Sequence, residues 1–204
     1  MIRNVVFDMG MVLLNWKPML PCLRHAGDPE QARRLCESIF THPEWGPVID
    51  GGRITEAEYF VRCRERAEDA TLKELIAAVE KDWWLDALYP MPHIEKVLEA
   101  LLDKGLNLYI LTNCGRRFHD FKYKIPMIDR FKGILVSAEE GMLKPDAEIY
   151  LRLCEKFDLK AEECVFVDDL SRNIDGAKAV GMQGYCHQDG DADRMLEALL
   201  EIIG

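Results

Sequence analysis

Five short apolar runs, separated by segments with the period of an amphipathic helix, restrict the fold of this chain more than any other feature. The runs cover residues 2–7, 106–111, 133–136, 164–167 and 184–186, and stretches of this kind are typical of buried strands. Over residues 93–104, apolar side chains recur every three or four positions, as in a helix with one buried face. Such alternation predicts an α/β fold in which helices cover both faces of a parallel sheet.

Residues 17–88 depart from this alternation, because no strand is evident there. Asp28-Pro29 is a typical helix start, and residues 55–58 and 71–74 each have the pattern of a capping box. These signals predict three or four helices, inserted after the first strand as a small bundle. We therefore expect a three-layer, Rossmann-like parallel-sheet core formed by residues 1–16 and 89–204, with an α-helical cap formed by residues 17–88.

The charge balance of the chain excludes several kinds of partner. Among 204 residues, 36 Asp and Glu against 26 Lys and Arg give a net charge of −10. Nucleic-acid phosphates and anionic membranes both require a basic face, so neither is an expected partner. Asp8 interrupts the first apolar run too early for a signal peptide. Seven cysteines without a Cys-x-x-Cys pair predict reduced thiols in a cytoplasmic protein. We expect the protein to be a monomer or a weak homodimer.

Polar side chains stand at the ends of four predicted strands. Since ligands of an open parallel sheet bind beyond the carboxyl ends of its strands, we expect these side chains to meet at one edge. They are Asp8 after the first strand, Thr112 and Asn113 after the second, Lys144 beyond the third, and Asp168 and Asp169 after the fourth.

This combination of groups indicates phosphoryl chemistry with Mg²⁺. The three carboxylates are hard oxygen ligands of the kind that Mg²⁺ prefers. The cation offsets the repulsion between the Asp8 carboxylate and a phosphate, which lets the carboxylate attack phosphorus. Lys144 adds positive charge where the phosphoryl oxygens gather, and Thr112 and Asn113 hold the remaining oxygens. Asn173, in the first turn of the next predicted helix, is placed to orient a ligand.

Four segments resemble the motifs of the haloacid dehalogenase superfamily. They are residues 5–13 (VVFDMGMVL), 111–113 (LTN), 142–145 (MLKP) and 165–169 (VFVDD). The resemblance covers nearly the full chain, because the helical insert stands where that superfamily has its cap. Its Asp-x-Gly-x-Val first motif is most similar to the sugar-phosphatase-like branch, which includes bacterial glucose-1-phosphate phosphatases and the phosphatase domain of soluble epoxide hydrolase.

The resemblance implies an enzyme, a Mg²⁺-dependent phosphatase that hydrolyses a small phosphorylated metabolite, such as a sugar phosphate, through an aspartyl-phosphate. In that family pattern Asp8 is the nucleophile, and Lys144 stabilises both the nucleophile and the transferring group. Thr112 and Asn113 bind the phosphate. The implied Mg²⁺ ligands are Asp8, the main-chain carbonyl of Gly10, Asp168 and Asp169.

Gly10 is a departure from the pattern of most phosphatases in that superfamily, which carry a second Asp there as the general acid and base. General acid–base catalysis is typically worth about 10²–10⁴-fold in rate. Three interpretations remain open. In the first, the enzyme takes leaving groups that need little protonation. In the second, a cap residue or a water replaces the acid. In the third, the protein is a phosphometabolite-binding module with little turnover.

A haloacid dehalogenase is the competing enzymatic hypothesis, since it uses the same carboxylate nucleophile without Mg²⁺. The Asp168-Asp169 pair argues against it, because two uncompensated carboxylates repel a carboxylate substrate. Sensitivity to EDTA distinguishes the two activities.

Aromatic residues flank the predicted cap in sequence. Trp16, where the chain enters it, is expected at the pocket mouth, whereas Trp83 and Trp84 near its exit are interpreted as packing residues. His42, in a loop of the cap, is a further residue that could reach the site.

Overall fold

The computed structural model describes residues 1–204 and confirms the α/β fold. Five strands form one parallel sheet, and two form a separate antiparallel ribbon. In chain order the strands are β1 (Asn4–Phe7), β2 (Leu14–Trp16), β3 (Leu88–Pro90), β4 (Asn107–Thr112), β5 (Gly133–Val136), β6 (Cys164–Asp168) and β7 (Gln183–Cys186). The parallel sheet has the order β5-β4-β1-β6-β7, which places β1 at its centre.

The helices fall into two groups. Residues 17–87, between β2 and β3, form a helical insert with α1 (Met19–His25), α2 (Pro29–Ile39), α3 (Glu56–Arg66), α4 (Ala70–Val79) and α5 (Trp84–Ala87), and with a π-helical turn at Trp45–Asp50. The others follow β3 and are α6 (Ile94–Asp103), α7 (Phe118–Phe121), α8 (Ser137–Glu140), α9 (Ala147–Phe157), α10 (Ser171–Ala179) and α11 (Ala192–Ile203). None of them combines the length and the apolar composition that crossing a bilayer requires.

Side-chain caps set the starts of the insert helices. The Asp28 carboxylate accepts a hydrogen bond from the Gln31 N–H at the start of α2, and Thr55 begins α3 with a complete capping box. The capping box expected at residues 71–74 is wrong. Asp69 caps α4 instead, by accepting from the Leu72 N–H, so this helix begins earlier than predicted.

The antiparallel ribbon of β2 and β3 was missing from the sequence-based prediction. Leu14 pairs with Pro90 and Trp16 pairs with Leu88, so the ribbon joins the two ends of the insert. The expectation that residues 17–88 contain no strand fails at Leu88, the first residue of β3. Each strand has only three residues, which is too short for an alternating pattern to stand out.

The strand register brings the carboxyl ends of three strands to the same level. Phe7 of β1 lies opposite Ile110 of β4 on one side and Val167 of β6 on the other. All four residues of β1 are buried, and its side chains alternate between the two faces of the sheet. Val5 and Phe7 pack into the core that extends toward the insert, and Val6 packs into the core beneath α9 and α10. Residue 8 therefore emerges at the middle of the carboxyl edge.

Candidate active site

The sheet brings the polar strand-end residues into one cavity. Asp8 follows β1, Thr112 ends β4, and Lys144 lies in the loop between α8 and α9. All three line a cavity of about 540 Å³ between the carboxyl edge of the sheet and the helical insert. The cavity lining also contains four more of the predicted site residues: Gly10, Asn113, Asp169 and Asn173.

Lys144 lies between two carboxylates. Its Nζ is 2.7 Å from Asp8 Oδ1 and 2.7 Å from Asp168 Oδ2, and its side chain is 1% exposed. Burial opposes the charged form of the ammonium, but Asp8 and Asp168 outweigh it and raise the pKa of Lys144 above its usual value. The Lys144 ammonium is therefore a permanent positive charge in this cavity.

Asn113 fixes the main chain of Lys144. Its Nδ2 donates to the Lys144 carbonyl over 3.0 Å, and its Oδ1 accepts from the Lys144 N–H over 2.9 Å. Both ends of the Asn113 amide are thus occupied inside the protein. The Asn113 side chain therefore positions the loop that carries the ammonium, and the sequence-based prediction that Asn113 binds substrate stays a prediction for its main-chain N–H.

Asp168 is completely buried and saturated with hydrogen bonds. Its Oδ1 accepts from the Leu170 N–H and from Asn173 Nδ2, while Oδ2 accepts from Lys144 Nζ and from the same Asn173 nitrogen. Asn173, in the first turn of α10, therefore orients a carboxylate, and its own Oδ1 is buried without a partner. Asp169 is less buried and lines the cavity.

Three carboxylates converge at this edge. Oxygen atoms of Asp8, Asp168 and Asp169 lie within 4.8 Å of one another. Burial raises the pKa of Asp8 to about 6, with Lys144 acting in the opposite direction, and burial followed by the neighbouring Asp168 raises the pKa of Asp169. A cation would relieve this concentration of negative charge.

Gly10 leaves the cavity open where the resemblance implies an acid in most phosphatases. A Cβ built on Gly10 meets no atom within 4 Å, so the position could accept a side chain. The chain instead supplies two other carboxyl groups to the cavity, Asp50 and Glu56, both from the insert.

Asp50 was not identified from the sequence as a site residue. Ser137 Oγ donates to the Asp50 carbonyl over 2.6 Å and accepts from the Cys114 N–H over 2.9 Å. This buried serine ties the insert to the loop that follows Asn113. Gly52, with φ +68°, lets the insert approach closely, since a Cβ there would lie 2.2 Å from the Ala138 carbonyl oxygen.

Glu56 also reaches the loop after β4. A Cβ at Gly115 would lie 2.4 Å from Glu56 Oε1, so a larger residue there would displace the glutamate side chain. Glu56 Oε2 is 4.0 Å from Arg117 Nε, and the Glu56 side chain is 6% exposed. The sequence marked Glu56 only as part of a helix start, and the nearby Gly51-Gly52 pair was the available signal that a loop of the insert packs tightly.

Both insert carboxyl groups have raised pKa values. Burial raises the pKa of Glu56 to about 7, although Arg117 lowers it. Burial, with added repulsion from Glu56 and Asp8, raises the pKa of Asp50 well above its usual range. The raised pKa favours the protonated form of Asp50 more than that of an exposed aspartate, in the same cavity as Asp8.

Aromatic residues line the insert side of the cavity. Trp16 and Trp45 are partly buried, and Trp83 is 3% exposed. As the sequence predicts, Trp83 packs, with its ring against Trp16, Trp45 and Phe121. It also lines this cavity, which the sequence does not predict. His42 does not reach the site and lines a separate, smaller cavity of the insert.

Comparison with known proteins identifies relatives along nearly the whole chain. Residues 2–181 match the family of haloacid dehalogenase-like hydrolases. Over 203 residues the chain is 29% identical to a sesquiterpene phosphatase of Aspergillus oryzae, and the aligned region covers 99% of this chain and 97% of that protein. It is 24% identical over 205 residues to a phosphorylated carbohydrates phosphatase of Thermotoga maritima, with 95% and 90% covered.

Solved structures have the same fold. A magnesium complex of a haloacid dehalogenase family enzyme from Bacteroides thetaiotaomicron superimposes with a TM-score of 0.73, covering 96% of this chain and 98% of that one at 22% identity.

Proposed function

The chain belongs to the haloacid dehalogenase-like hydrolase family and is an enzyme, and on this basis we propose that it is a Mg²⁺-dependent phosphatase. Its substrate is a small phosphate monoester, which it hydrolyses through an aspartyl-phosphate on Asp8. The observation that carries the proposal is the buried Lys144 ammonium, 2.7 Å from both Asp8 and Asp168, at the edge of a cavity large enough for a small ligand.

The donor set fits Mg²⁺. Three carboxylates whose oxygens lie within 4.8 Å of one another would supply hard oxygen ligands. The buried Asn173 Oδ1, which has no partner in the protein, would be available to accept a further hydrogen bond beside them. Because Asp168 already accepts four hydrogen bonds, Asp169 and Asp8 would be the direct side-chain ligands, together with the Gly10 carbonyl. When bound, Mg²⁺ supplies positive charge that offsets repulsion between Asp8 and the substrate phosphate.

The residues of the carboxyl edge perform the first step. Asp8 attacks phosphorus, a bond forms between its carboxylate oxygen and phosphorus, and the bond from phosphorus to the ester oxygen breaks. Lys144 and the Thr112 hydroxyl hold the phosphoryl oxygens, along with the Asn113 N–H. Water then attacks the aspartyl-phosphate, which releases inorganic phosphate and regenerates Asp8.

Asp50 supplies the proton that Gly10 cannot. It lines the same cavity as Asp8, and desolvation in that cavity raises its pKa well above the usual range, which favours the protonated form. Its carboxyl group donates a proton to the departing alkoxide, and the resulting carboxylate then accepts a proton from the attacking water. This exchange restores the initial protonation state after each turnover.

The helical insert acts as the cap of a core formed by residues 1–16 and 89–204. Residues 17–88 cover the carboxyl edge, exclude bulk water during phosphoryl transfer and contact the leaving group. Seven unpaired cysteines fit a reducing, cytoplasmic compartment.

The relatives support a phosphatase without agreeing on the leaving group. One is named a sesquiterpene phosphatase and another a phosphorylated carbohydrates phosphatase. The dehalogenase alternative is disfavoured by the same acidic cluster that favours Mg²⁺. The non-catalytic alternative is motivated by Gly10, and a proton donor at Asp50 would remove that motivation.

The direct test is hydrolysis of p-nitrophenyl phosphate with Mg²⁺, with and without EDTA. We expect Mg²⁺-dependent release of phosphate, which Asp8→Asn abolishes while leaving the fold intact. Asp129→Asn, at an exposed carboxylate of the core, is the matched control and should retain full activity. Turnover by Asp8→Asn at the wild-type rate, or no turnover of any phosphate ester, would contradict the proposal.

A further inference from the structure

Aromatic and aliphatic side chains from the insert and from neighbouring elements form a large part of the cavity lining. Trp45 and Trp83 come from the insert, Trp16 from β2, Leu88 from β3 and Phe121 from α7. The lining of this cavity, which has a volume of about 540 Å³, therefore combines these apolar side chains with charged groups. We call the side formed by these five residues the apolar half, and the side formed by Asp8 and the other strand-end groups the charged half. A substrate whose phosphate lies at Asp8 would direct its leaving group toward the apolar half.

The rings of the apolar half hold one another in place. Trp16 stacks on Trp45 with centroids 6.4 Å apart, and Trp83 meets them edge-on at 5.5 and 5.9 Å. Phe121, 1% exposed, supports Trp83 from the core side at 5.8 Å. A wall that is already formed loses little conformational freedom when it binds a ligand, so apolar contact with it is converted efficiently into affinity.

Few polar groups face this half. Asp50 and Glu56 are the carboxyl groups of the insert in the cavity, and the insert places no Lys or Arg side chain in its lining. Trp83 Nε1 is buried and has no hydrogen-bond partner. A sugar carries several hydroxyls, and those lying against the rings would lose water without gaining a partner, which weakens binding.

We propose that the substrate is the phosphate ester of an apolar alcohol, with a hydrocarbon group that covers the rings of Trp16, Trp45 and Trp83. This inference rests on the proposed phosphatase function and specifies its substrate class. The phosphate lies at Asp8 and the ester oxygen is within reach of Asp50. The hydrocarbon occupies the apolar half.

The test is a chain-length series of n-alkyl phosphates, from ethyl to octyl, compared with glycerol phosphate and glucose phosphate. Full burial of each added methylene raises kcat/KM by up to about four-fold. We expect a steady rise until the cavity is filled, and lower kcat/KM for both polyol esters. A flat series, or a preference for the sugar phosphate, overturns the inference.

Binding of n-alkylphosphonates separates this inference from the phosphatase proposal, because these analogues bind without being hydrolysed. Their affinity, measured by quenching of tryptophan fluorescence, should also increase with chain length. If no ester is hydrolysed but affinity still rises, the phosphatase proposal fails and the apolar site stands. If esters are hydrolysed but affinity is independent of chain length, the apolar site is wrong.

A matched pair of variants locates the effect. Trp45→Ala should reduce the octyl-to-ethyl ratio of kcat/KM by about ten-fold, because it removes apolar wall. Trp45→Leu, which keeps the site apolar, should give a smaller reduction. Trp84→Ala is the control, since Trp84 packs against Trp83 outside the cavity lining, and it should leave the ratio within about two-fold. Equal reductions by Trp45→Ala and Trp84→Ala would contradict the assignment.

Discussion

The ammonium of Lys144 lies 2.7 Å from Asp8 Oδ1, with 1% of the lysine side chain and 12% of the aspartate side chain exposed. The pair does not stand alone, because Asp168 contacts the same nitrogen from the other side. One buried cation therefore compensates two buried carboxylates. This arrangement favours approach of a further positive charge, and it also makes the structure depend on the lysine.

Replacing Lys144 by methionine should destabilise the protein strongly. The variant leaves Asp8 and Asp168 buried without a cation, and loss of one partner of a buried ion pair typically costs about 3–5 kcal/mol. We expect a fall of about 3 kcal/mol in the free energy of unfolding, measured by urea denaturation without Mg²⁺. Lys96→Met is the control, because its pair with Asp193 is exposed and should be worth less than about 1 kcal/mol. Equal losses in the two variants would show that the buried pair has no special role.

Mg²⁺ should stabilise the folded protein, since its ligands are assembled only there. Binding at about 100 times the dissociation constant adds about 2.7 kcal/mol to the free energy of unfolding. Asp169→Asn removes a charged direct ligand, and we expect the Mg²⁺ concentration for half-maximal stabilisation to rise by at least about ten-fold. Thermal denaturation across a Mg²⁺ titration measures this shift, with Asp129→Asn as the control. An unchanged midpoint in Asp169→Asn would exclude it as a ligand.

The meeting of the strand-end groups was predictable because parallel strands end at one edge. Asp8, Thr112 and Asp168 each follow an apolar run, and the register of the sheet brings those ends together regardless of the details of packing. Lys144 was found from its motif, but the hydrogen bonds from Asn113 that fix its loop depend on a tertiary contact. No local pattern reports such a contact.

The insert side of the site was not predictable in the same way. Asp50 ends a π-helical turn of the insert, and its carbonyl is held by Ser137, which is 87 residues away in the chain. Trp83 was assigned to packing because its position in the sequence does not indicate which surface its ring faces. Helical inserts have no equivalent of the sheet edge, so their functional residues emerge only from the folded structure.

Glu56 should make the stability of the protein fall as the pH rises. Burial raises its folded-state pKa to about 7 from a usual value near 4.5, so between these values the folded chain binds more protons than the unfolded chain. The stabilising effect of the protonated form is complete below about pH 4.5 and is lost as the pH rises through about 7.

Glu56→Gln tests this dependence. Between pH 5 and pH 8.5 the free energy of unfolding of the wild type should fall by about 2–3 kcal/mol relative to the variant, which retains the shape but does not ionise. Urea denaturation at several pH values gives the difference. Glu65→Gln, at an exposed glutamate on the same helix, should run parallel to the wild type. If the free energies of unfolding of Glu56→Gln and the wild type instead changed in parallel with pH, the pKa of Glu56 in the folded protein would be near its unfolded value.

Asp50→Asn should slow turnover according to the leaving group. The variant cannot donate a proton, and loss of a general acid typically costs about 10²–10⁴-fold in rate. We expect a loss of that size for alkyl phosphates, whose alkoxide needs the proton, and less than about ten-fold for p-nitrophenyl phosphate, whose phenolate does not. The measurement is kcat for both esters, since KM reports binding as well.

A second substitution distinguishes loss of the acid from a distorted cavity. Gly10 has space for a side chain, with no atom within 4 Å of its Cβ position, and an aspartate there would stand where most related phosphatases carry their acid. In the Asp50→Asn background, Gly10→Asp should therefore recover part of the kcat for alkyl phosphates and change p-nitrophenyl phosphate little. A distorted cavity would affect both esters equally in Asp50→Asn and would not be repaired by a carboxyl group at residue 10. Equal losses without recovery would therefore remove Asp50 from the proton-transfer step and leave water as the donor.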